Sequence, residues 1–266
     1  MKRVGLIAGN GDLPIYFAEA AKNKGVEVVA INITAQAPSD RLESIVDENY
    51  EISVGELDRI IKRLQASEVQ ELVMVGKVNK DLLFNIDFDK RMLALLNSLE
   101  EKNDDAILLA LVEELEQEGI EVKEQTTYIE ELLSQTGALN QVEPTEEELA
   151  DMRFGFKMAK GIGGLDIGQT VIVKEGAVIA VEAIEGTDET ILRSGRLTDG
   201  GVVMAKVSKP EQDFRFDIPT VGVQTIKNLI EVRAKGLVIE AGKTFVVNRK
   251  EVFRLANEAG ISIVAM

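Results

Sequence analysis

The sequence predicts an α/β protein with a parallel-sheet domain in its first half and a mixed α/β domain in its second half. In the first half, apolar segments of strand length alternate with helical segments, which is typical of a parallel sheet. In the second half, two apolar segments flank a short Gly-containing turn, which predicts an antiparallel hairpin. A polar stretch with Gly137 and Pro144 separates the halves. We therefore predict domains over residues 1–133 and 145–266, joined by a linker over 134–144.

The first half opens with the pattern of a βαβ unit. The apolar segment Arg3–Ala8 predicts a strand, and a Gly-containing turn leads from it into a helix over 14–24 and a strand over 26–33. Apolar residues at helical spacing predict the later helices. The remaining elements predicted in this half are helices over 54–66, 90–101 and 105–117 and strands over 72–75 and 120–122.

The second half opens with a helix whose start is marked by a capping box. Thr145 is the expected N-cap, and Glu148 stands three residues later as its capping partner. We expect this helix to run to about Lys160 and to stop at Gly161 or Gly163. The remaining predicted elements are strands over 170–173, 178–183, 202–207, 238–239, 245–247 and 262–265, and helices over 223–234 and 250–259.

The composition excludes several kinds of catalytic site. The chain of 266 residues contains no His and no Cys. It therefore has no Cys/His zinc site, no thiol nucleophile and no Ser-His-Asp triad. Any catalysis must rest on carboxylates, Lys, Tyr, hydroxyls, backbone dipoles or a hard cation such as Mg²⁺. Without Cys the chain forms no disulfide, which is compatible with a reducing cytoplasm.

Acidic residues dominate the chain, but unevenly. The net charge of -16 argues against a general nucleic-acid-binding protein, because phosphate neutralisation needs a basic face. Residues 1–144 carry 28 acids and 14 bases, whereas residues 145–266 carry 18 and 16, so the second half is the better place for an anionic substrate. The longest apolar run, 106–112, is far shorter than the ~20 residues of a membrane helix. We also expect no signal peptide.

The first candidate site is the loop Gly9-Asn10-Gly11-Asp12, between the first strand and the first helix. Gly9 and Gly11 would let backbone N–H groups approach an anion at the positive end of the helix. Pro14 takes the place of the third glycine of a dinucleotide fingerprint, and the second strand ends without an acid for a ribose, so an NAD site is disfavoured. The structural alternative is a tight turn with Pro14 at the first helical position.

The second candidate site is the acidic segment that follows the hairpin. Glu182, Glu185 and Asp188 are spaced three apart around a glycine turn, which would let carboxylates converge on a hard cation. Thr187 would supply a hydroxyl to the same site. The structural alternative is that Thr187 is the N-cap of the next helix, because hydroxyls and acids are common at helix starts.

The third candidate site is a segment with mixed charges and two prolines. Within twelve residues the chain places Lys206, Lys209, Asp213, Arg215 and Asp217. Two phenylalanines alternate with Arg215 and Asp217, so inward packing of the aromatic rings would put these two charges on one face. Cations and carboxylates together suit phosphoryl chemistry, whereas a solvated loop does not require so tight an alternation.

These segments resemble those of the UDP-2,3-diacylglucosamine diphosphatase family of lipid A biosynthesis, the LpxI type. Each motif alone is modest, and the specificity lies in their order and spacing. The matching motifs lie at residues 5–14, 75–78, 103–106, 164–169, 182–188 and 206–222. Together they extend the resemblance over essentially the whole chain.

The resemblance implies two α/β domains, the first Rossmann-like, and Mg²⁺-dependent cleavage of UDP-2,3-diacylglucosamine to UMP and 2,3-diacylglucosamine 1-phosphate. It places Asp217 at the catalytic aspartate of the family. As metal ligands for Mg²⁺, or Mn²⁺ in its place, we take Glu185, Asp188 and Asp217. The candidate substrate-binding residues are Gly9, Asn10, Gly11, Asp12, Thr187, Asp188, Lys206, Lys209 and Arg215.

The same resemblance implies a cytoplasmic enzyme that takes a UDP-linked diacylated glucosamine and contacts the inner leaflet of the inner membrane peripherally. A homodimer is left open. The missing His favours this family over the unrelated metallophosphoesterase that catalyses the same hydrolysis, because that enzyme needs His and Asp around two metals. The alternative is a non-catalytic nucleotide-sugar-binding or regulatory protein, and an NAD-dependent dehydrogenase comes third.

Overall fold

The computed structural model describes residues 2–78, 86–100 and 103–266, and the chain divides into two compact units. The first unit contains Met1–Glu130 together with the short segment Phe214–Phe216. The second unit contains Glu131–Asp213 and Asp217–Met266. The second half of the chain therefore contributes three residues to the first unit.

The first unit is built on a parallel sheet of five strands, counted over the described residues, in the order β3-β2-β1-β4-β5. The strands are β1 (Arg3–Ala8), β2 (Glu27–Asn32), β3 (Glu48–Glu51), β4 (Glu71–Val75) and β5 (Glu121–Val122). The helices are α1 (Leu13–Asn23), α2 (Ser39–Glu43), α3 (Leu57–Ala66), α4 (Lys90–Ser98) and α5 (Asp104–Gln117). Two short 3₁₀ turns follow α5 at Gln125–Thr127 and Glu130–Leu132.

An apolar cluster joins the sheet of the first unit to helices α3 and α4. Helix α3 buries Leu57, Ile60, Ile61 and Leu64, a spacing that places them on one face. They belong to one core cluster with residues of β2, β4 and α4, and that cluster also contains Phe216. Phe216 is 4% exposed. Burial of a side chain of this size stabilises the fold by about 1.5–3 kcal/mol, so Phe216 is part of the first unit's core.

The point where the strand order of the first sheet reverses, between β1 and β4, is closed by backbone contacts. The amide of Gly9 donates to the Val75 carbonyl at 2.9 Å, and Asn10 and Lys77 exchange N–H···O bonds of 2.8 and 3.0 Å. A Cβ atom on Gly9 would lie 2.8 Å from the carbonyl carbon of Gly76. Only glycine fits here. Dinucleotides usually enter such a crevice, and in this chain the residues that follow β1 and β4 contact each other there.

The second unit contains a mixed sheet and a short two-stranded parallel ladder. The sheet order over the described residues is β6-β13-β11-β9-β7-β8, and β10 pairs with β12. The strands are β6 (Gly137–Ala138), β7 (Thr170–Lys174), β8 (Ala177–Val181), β9 (Val203–Lys206), β10 (Thr220–Val221), β11 (Gly236–Ile239), β12 (Phe245–Val246) and β13 (Ser262–Ala265). The helices are α6 (Glu146–Gly164), α7 (Gly186–Leu197), α8 (Val223–Glu231) and α9 (Arg249–Ala259).

Two apolar clusters pack against the two faces of this mixed sheet. Val171 and Val173 of β7 lie in a cluster with Met152 and Ala159 of helix α6. Ile172, between them, lies in the other cluster with residues of α7, α8 and α9. This alternation is expected of a strand that is covered on both sides. Strands β9, β11 and β13 run parallel, and β6, β7 and β8 are antiparallel to their neighbours. The predicted α/β class, with a parallel-sheet domain and a second, mixed α/β domain, is confirmed.

The capping box predicted at the start of α6 is present, but the end of this helix was placed too early. Thr145 accepts from the Glu148 amide at 3.2 Å, and the Glu148 carboxylate accepts from the Thr145 amide at 2.9 Å. The helix continues past Gly161 and Gly163 and ends at Gly164. A glycine costs only about 1 kcal/mol in a helix interior, which is less than the packing of α6 on β7, β9 and β11 supplies.

The segment 134–144, predicted to be a linker, lies inside the second unit. Its β6 pairs with the C-terminal strand β13, and the Leu139 amide donates to the Ile263 carbonyl at 2.9 Å. The Asn140 side chain donates to Ile261 O and accepts from the Ile263 amide, both at 2.9 Å. Residues of this segment therefore hydrogen-bond to the edge strand β13 and do not form a flexible linker.

Replacement of Gly9 by Ala should destabilise the first unit, because the added methyl group meets backbone atoms that cannot rotate away. We expect a loss of about 1–3 kcal/mol in the free energy of unfolding, measured by denaturant titration. The matched control is Gly161→Ala in helix α6, where a Cβ meets nothing within 4 Å. That change should stabilise by about 0.5–1 kcal/mol. Equal effects of the two substitutions would contradict the close approach of Gly9 and Gly76.

Candidate active site

Polar side chains collect at one end of the mixed sheet, where the parallel strands β9 and β11 finish. Lys206 is the last residue of β9, and its cross-strand partner is Thr170, the first residue of β7. The amide of Glu182, just after β8, donates to the Thr170 carbonyl at 2.9 Å. Because β7 runs antiparallel to β9, residues that are distant in the sequence meet at this edge. The carboxyl ends of parallel strands are the usual place for ligand sites in α/β sheets.

Lys206 is a buried cation that contacts a hydroxyl group. It is 8% exposed, and its Nζ donates to Thr187 Oγ1 at 2.7 Å. The Thr187 hydroxyl in turn donates to Glu182 Oε1 at 2.8 Å. Thr187 lies in the first turn of α7, whose N-cap is Glu185, so the alternative of Thr187 as N-cap is wrong. The arrangement links Lys206 to a carboxylate through one hydroxyl.

Two polar atoms beside Lys206 are buried without a hydrogen-bond partner in the structure. These are Glu182 Oε2 and Thr170 Oγ1, and Thr170 is 0% exposed. A buried polar atom without a partner costs about 1–3 kcal/mol, so such atoms usually mark a bound water or ligand. Each of the two atoms can therefore hydrogen-bond a water molecule or a polar group at this edge.

A buried ion pair holds the chain where it leaves β9. Glu240, 8% exposed, follows β11 and accepts from Lys160 Nζ at 2.9 Å and from the Ser208 hydroxyl at 2.8 Å and amide at 3.0 Å. Lys160 also donates to the Ser208 carbonyl at 2.9 Å, and Lys243 lies 3.2 Å from Glu240. Burial alone would raise the pKa of Glu240, but the hydrogen bonds from Lys160, Ser208 and Lys243 outweigh it and hold that pKa below its usual value.

Asp217 lies on the segment that joins β9 to β10, and it is exposed. Its backbone is left-handed, with φ +57°, which is uncommon for a residue with a side chain. Its Oδ2 accepts from Gln169 Nε2 at 3.0 Å. The same Gln169 amide donates to Gln212 Oε1 at 3.2 Å, and Gln212 Oε1 accepts from the Lys209 amide at 3.2 Å. Lys209 Nζ lies 2.6 Å from Asp166.

The predicted common face for Arg215 and Asp217 is wrong. Phe216 is buried as expected, but Arg215 belongs to the first unit and lies 3.5 Å from Glu116. Asp217 belongs to the second unit. The left-handed backbone at Asp217 breaks the extended alternation on which the prediction depended.

The predicted metal ligands Glu185, Asp188 and Asp217 do not form one ligand set. In the part of the chain that the structure describes, no group of three acidic side chains is close enough to hold a metal ion. Each of the three has a different partner, since Glu185 pairs with Arg193 at 2.8 Å and Asp188 accepts from Asn228 at 2.7 Å. A hydrogen bond from its own backbone amide, with that from Arg193, lowers the pKa of Glu185.

The candidate residues of the glycine loop belong to the first unit. The amides of Gly9 and Asn10 are used by the backbone contacts with β4 and Lys77. The Asn10 side chain accepts from the Thr34 hydroxyl at 2.5 Å and donates to Gln36 at 2.7 Å. Gly11 has a φ of +96°, and Asp12 pairs with Arg41 at 2.5 Å. Pro14 stands in the first turn of α1 as its second residue, one position later than the structural alternative placed it.

The sequence reasoning did not identify Gln169, Lys160, Ser208 and Glu240 as parts of this edge. Lys160 and Glu240 are 80 positions apart, and no local pattern joins them. Two signals were available. Gln169 and Ser208 lie within matching motifs, and a polar residue stands directly beside a predicted strand at Gln169 before β7 and at Glu240 after β11.

The fold and the site define a class of protein: a two-unit α/β protein whose mixed sheet carries cations and carboxylates at one edge. Family models cover both units, with the LpxI N-terminal domain at residues 3–132 and the LpxI C-terminal domain at residues 135–264. The chain therefore belongs to the LpxI family. It is 34% identical to a Caulobacter vibrioides protein named UDP-2,3-diacylglucosamine pyrophosphatase LpxI, over 100% of this chain and 98% of that protein.

Solved structures show only weak similarity. A biotin carboxylase domain of a thermophilic 2-oxoglutarate carboxylase is 14% identical with a TM-score of 0.28, over 65% of this chain and 35% of its own. The biotin carboxylase subunit of a pyruvate carboxylase is 13% identical with a TM-score of 0.28, over 74% and 41%. These values support no conclusion about fold or function.

Removal of the Glu240 charge should destabilise the second unit in a pH-dependent way. Because the folded pKa lies below the ordinary 4.5, the carboxylate contributes stability above that pH and loses it as the pH falls. We expect Glu240→Gln to lose about 1–3 kcal/mol at pH 7, with a difference from the wild type that shrinks below pH ~4.5. Denaturant titration at several pH values measures it. Glu231→Gln, on an exposed site of α8, is the control, and a pH-independent loss in Glu240→Gln would contradict the pairing.

Proposed function

We propose that this protein hydrolyses the diphosphate of UDP-2,3-diacylglucosamine, giving UMP and 2,3-diacylglucosamine 1-phosphate. The observation that carries the proposal is the full-length similarity to the Caulobacter vibrioides pyrophosphatase, which extends over both units. The polar edge of the mixed sheet supports it, because it combines a buried cation with a hydrogen-bonded carboxylate. Both are groups that diphosphate hydrolysis requires.

Lys206 is the proposed contact for the phosphoryl oxygens. Its ammonium is buried and is linked to Glu182 through the neutral Thr187 hydroxyl, and a buried charge is stabilised most by an opposite charge in direct contact with it. A bound diphosphate supplies that negative charge, and the lysine neutralises charge that grows on the phosphoryl group during cleavage. Thr187 supports Lys206 in this role, because its hydroxyl accepts a hydrogen bond from the Lys206 ammonium.

Asp217 is the proposed general base. Its exposed carboxylate can reach a water molecule, and the hydrogen bond from Gln169 fixes one of its oxygens. In this role it accepts the proton of the water that attacks phosphorus, and the bond from phosphorus to the bridging oxygen breaks. Lys209, near the other end of the same segment, is a second cation for the phosphates.

We propose Mg²⁺, or Mn²⁺ in its place, as a required cation. A chain without His and Cys offers only oxygen ligands, which are those that Mg²⁺ prefers. The described residues hold no set of three acids for a resident metal. Mg²⁺ is often bound by one or two carboxylates together with substrate phosphates, so tight binding is expected only with substrate present.

We further propose that the protein meets its lipid substrate at the inner leaflet from the cytoplasmic side. No helix among the described residues is long and apolar enough to cross a membrane. Support comes from two loops at the polar edge that expose large apolar side chains, with Leu165 72% and Ile184 86% exposed. These loops touch, since a Cβ on Gly168 would lie 2.3 Å from the Glu182 carbonyl oxygen. A homodimer stays a prediction.

Substitution Asp217→Ala should abolish hydrolysis and leave substrate binding largely intact. Loss of a general base slows turnover by roughly 10²–10⁴-fold, and the cations that attract the phosphates remain. UMP release from substrate in detergent micelles with Mg²⁺ gives the rate, beside melting temperature and substrate affinity. Asp199→Ala is the control at a distant acid. A folded Asp217→Ala protein that retains more than about a tenth of the rate would rule out the general-base role.

Chelation should silence the enzyme, and Mg²⁺ alone should bind weakly. Exhaustive EDTA treatment is expected to remove UMP release, which Mg²⁺ or Mn²⁺ then restores. Calorimetric titration of the substrate-free protein with Mg²⁺ should show no tight site, because the described acids are not grouped. Undiminished turnover after chelation would refute the metal requirement. Saturable substrate binding without turnover in any divalent cation would favour the non-catalytic alternative.

A further inference from the structure

We propose that Gln169 is a positioning residue that holds the carboxylate of Asp217 in its working orientation. The inference deepens the proposed hydrolysis and rests on it. Gln169 lies directly before β7. Both Gln169 and Asp217 belong to the second unit. Its role is to orient another side chain and does not require contact with substrate.

The terminal amide of Gln169 uses both of its hydrogens on acceptors of the same segment. Nε2 lies 3.0 Å from Asp217 Oδ2 and 3.2 Å from Gln212 Oε1. The reverse orientation of the amide would set its carbonyl oxygen against two other oxygens. The neighbours therefore fix which end of the amide faces Asp217.

The backbone of Gln169 is held by the sheet. Its carbonyl accepts from the Val207 amide at 3.0 Å, and the next residue, Thr170, is fully buried and paired with Lys206. A donor that is fixed at the start of a strand is a more precise support than one on a loop. Because its backbone is held by the sheet, Gln169 gives Asp217 and Gln212 a hydrogen-bond donor at a fixed position.

Asp217 lies on a loop, where a hydrogen bond to its carboxylate helps to set the orientation of the side chain. It is exposed, and residues 207–219 form no helix or strand. An exposed carboxylate on a loop samples several rotamers, and a hydrogen bond to one oxygen restricts it. Through Gln212 the same amide also reaches the Lys209 amide, so Gln169 joins both ends of the segment that carries the proposed chemistry.

The test compares Gln169→Met with the wild type. Methionine keeps the length of the side chain and removes both donors. A carboxylate displaced by about 1 Å can cost about 10²-fold in rate, so we expect kcat to fall roughly 10- to 100-fold. KM should change less than about twofold and the melting temperature should hold, because a positioning residue contributes neither to substrate contact nor to the core. Gln65→Met, which removes a surface contact with Glu118 in the first unit, is the matched control and should keep the wild-type rate.

A double-mutant cycle separates positioning from general damage. In the Asp217→Ala background the Gln169→Met change should cause no further loss, since the group that it positions is gone. Gln169→Glu is the second variant if Gln169→Met is unstable, and it should lose at least as much kcat because it sets a like charge beside Asp217.

Three results would overturn the inference. The first is an active wild type whose folded Gln169→Met variant keeps more than half of its kcat, which rejects the inference alone. The second is a rise in KM with kcat unchanged, which would make Gln169 a substrate contact. The third is additive losses in the cycle. A wild type that releases no UMP under any divalent cation would reject the proposed function, and with it this role of Gln169.

Discussion

The polar edge of the second unit depends on one buried carboxylate, Glu240. It draws together three parts of the chain that are far apart in sequence: helix α6 through Lys160, the start of the β9–β10 segment through Ser208, and the end of β11. A buried charge is tolerated only when it is paired and hydrogen-bonded. The pairing therefore fixes where the chain leaves the sheet, and the cations and the aspartate that follow take their positions from that point.

The mixed direction of the strands explains why polar side chains gather at this edge. In a purely parallel sheet, only the ends of strands would meet there. Here β7 is antiparallel to β9, so the start of one strand lies beside the end of the other, and Gln169 and Thr170 stand next to Lys206. A hairpin partner, β8, then returns Glu182 to the same place. One reversed pair thus brings a donor amide, a hydroxyl, a carboxylate and an ammonium together.

The sequence was most informative where the determining interaction is local. The strands Arg3–Ala8 and Ser262–Ala265 were placed at their observed bounds, because each is a mainly apolar run close to a glycine turn. The Thr145 capping box is also a local pattern. Strand β3, Glu48–Glu51, was missed because its residues are polar and its pairing with β2 supplies the structure.

The site was less accessible to sequence reasoning, because its contacts are between distant positions. Asp217 was reached through its motif, whereas Gln169, which contacts it, is 48 positions away, and nothing in the motif around Gln169 indicates that contact. The acids 182–189 are close together in the chain, yet hydrogen bonds direct Glu185 and Asp188 to Arg193 and Asn228. Close spacing in the sequence brings these carboxylates near one another, but their hydrogen-bond partners determine the direction of each side chain.

The presence of Phe216 in the core of the first unit has a consequence for folding during synthesis. A ribosome delivers residues 1–130 long before it delivers residue 216, so the nascent first unit emerges with part of its apolar cluster unfilled. Until about three fifths of the second unit has followed, that surface is open to water and to chaperones. The first half of this gene, expressed alone, therefore encodes an incomplete domain, and the two units complete their folding as a single translation product.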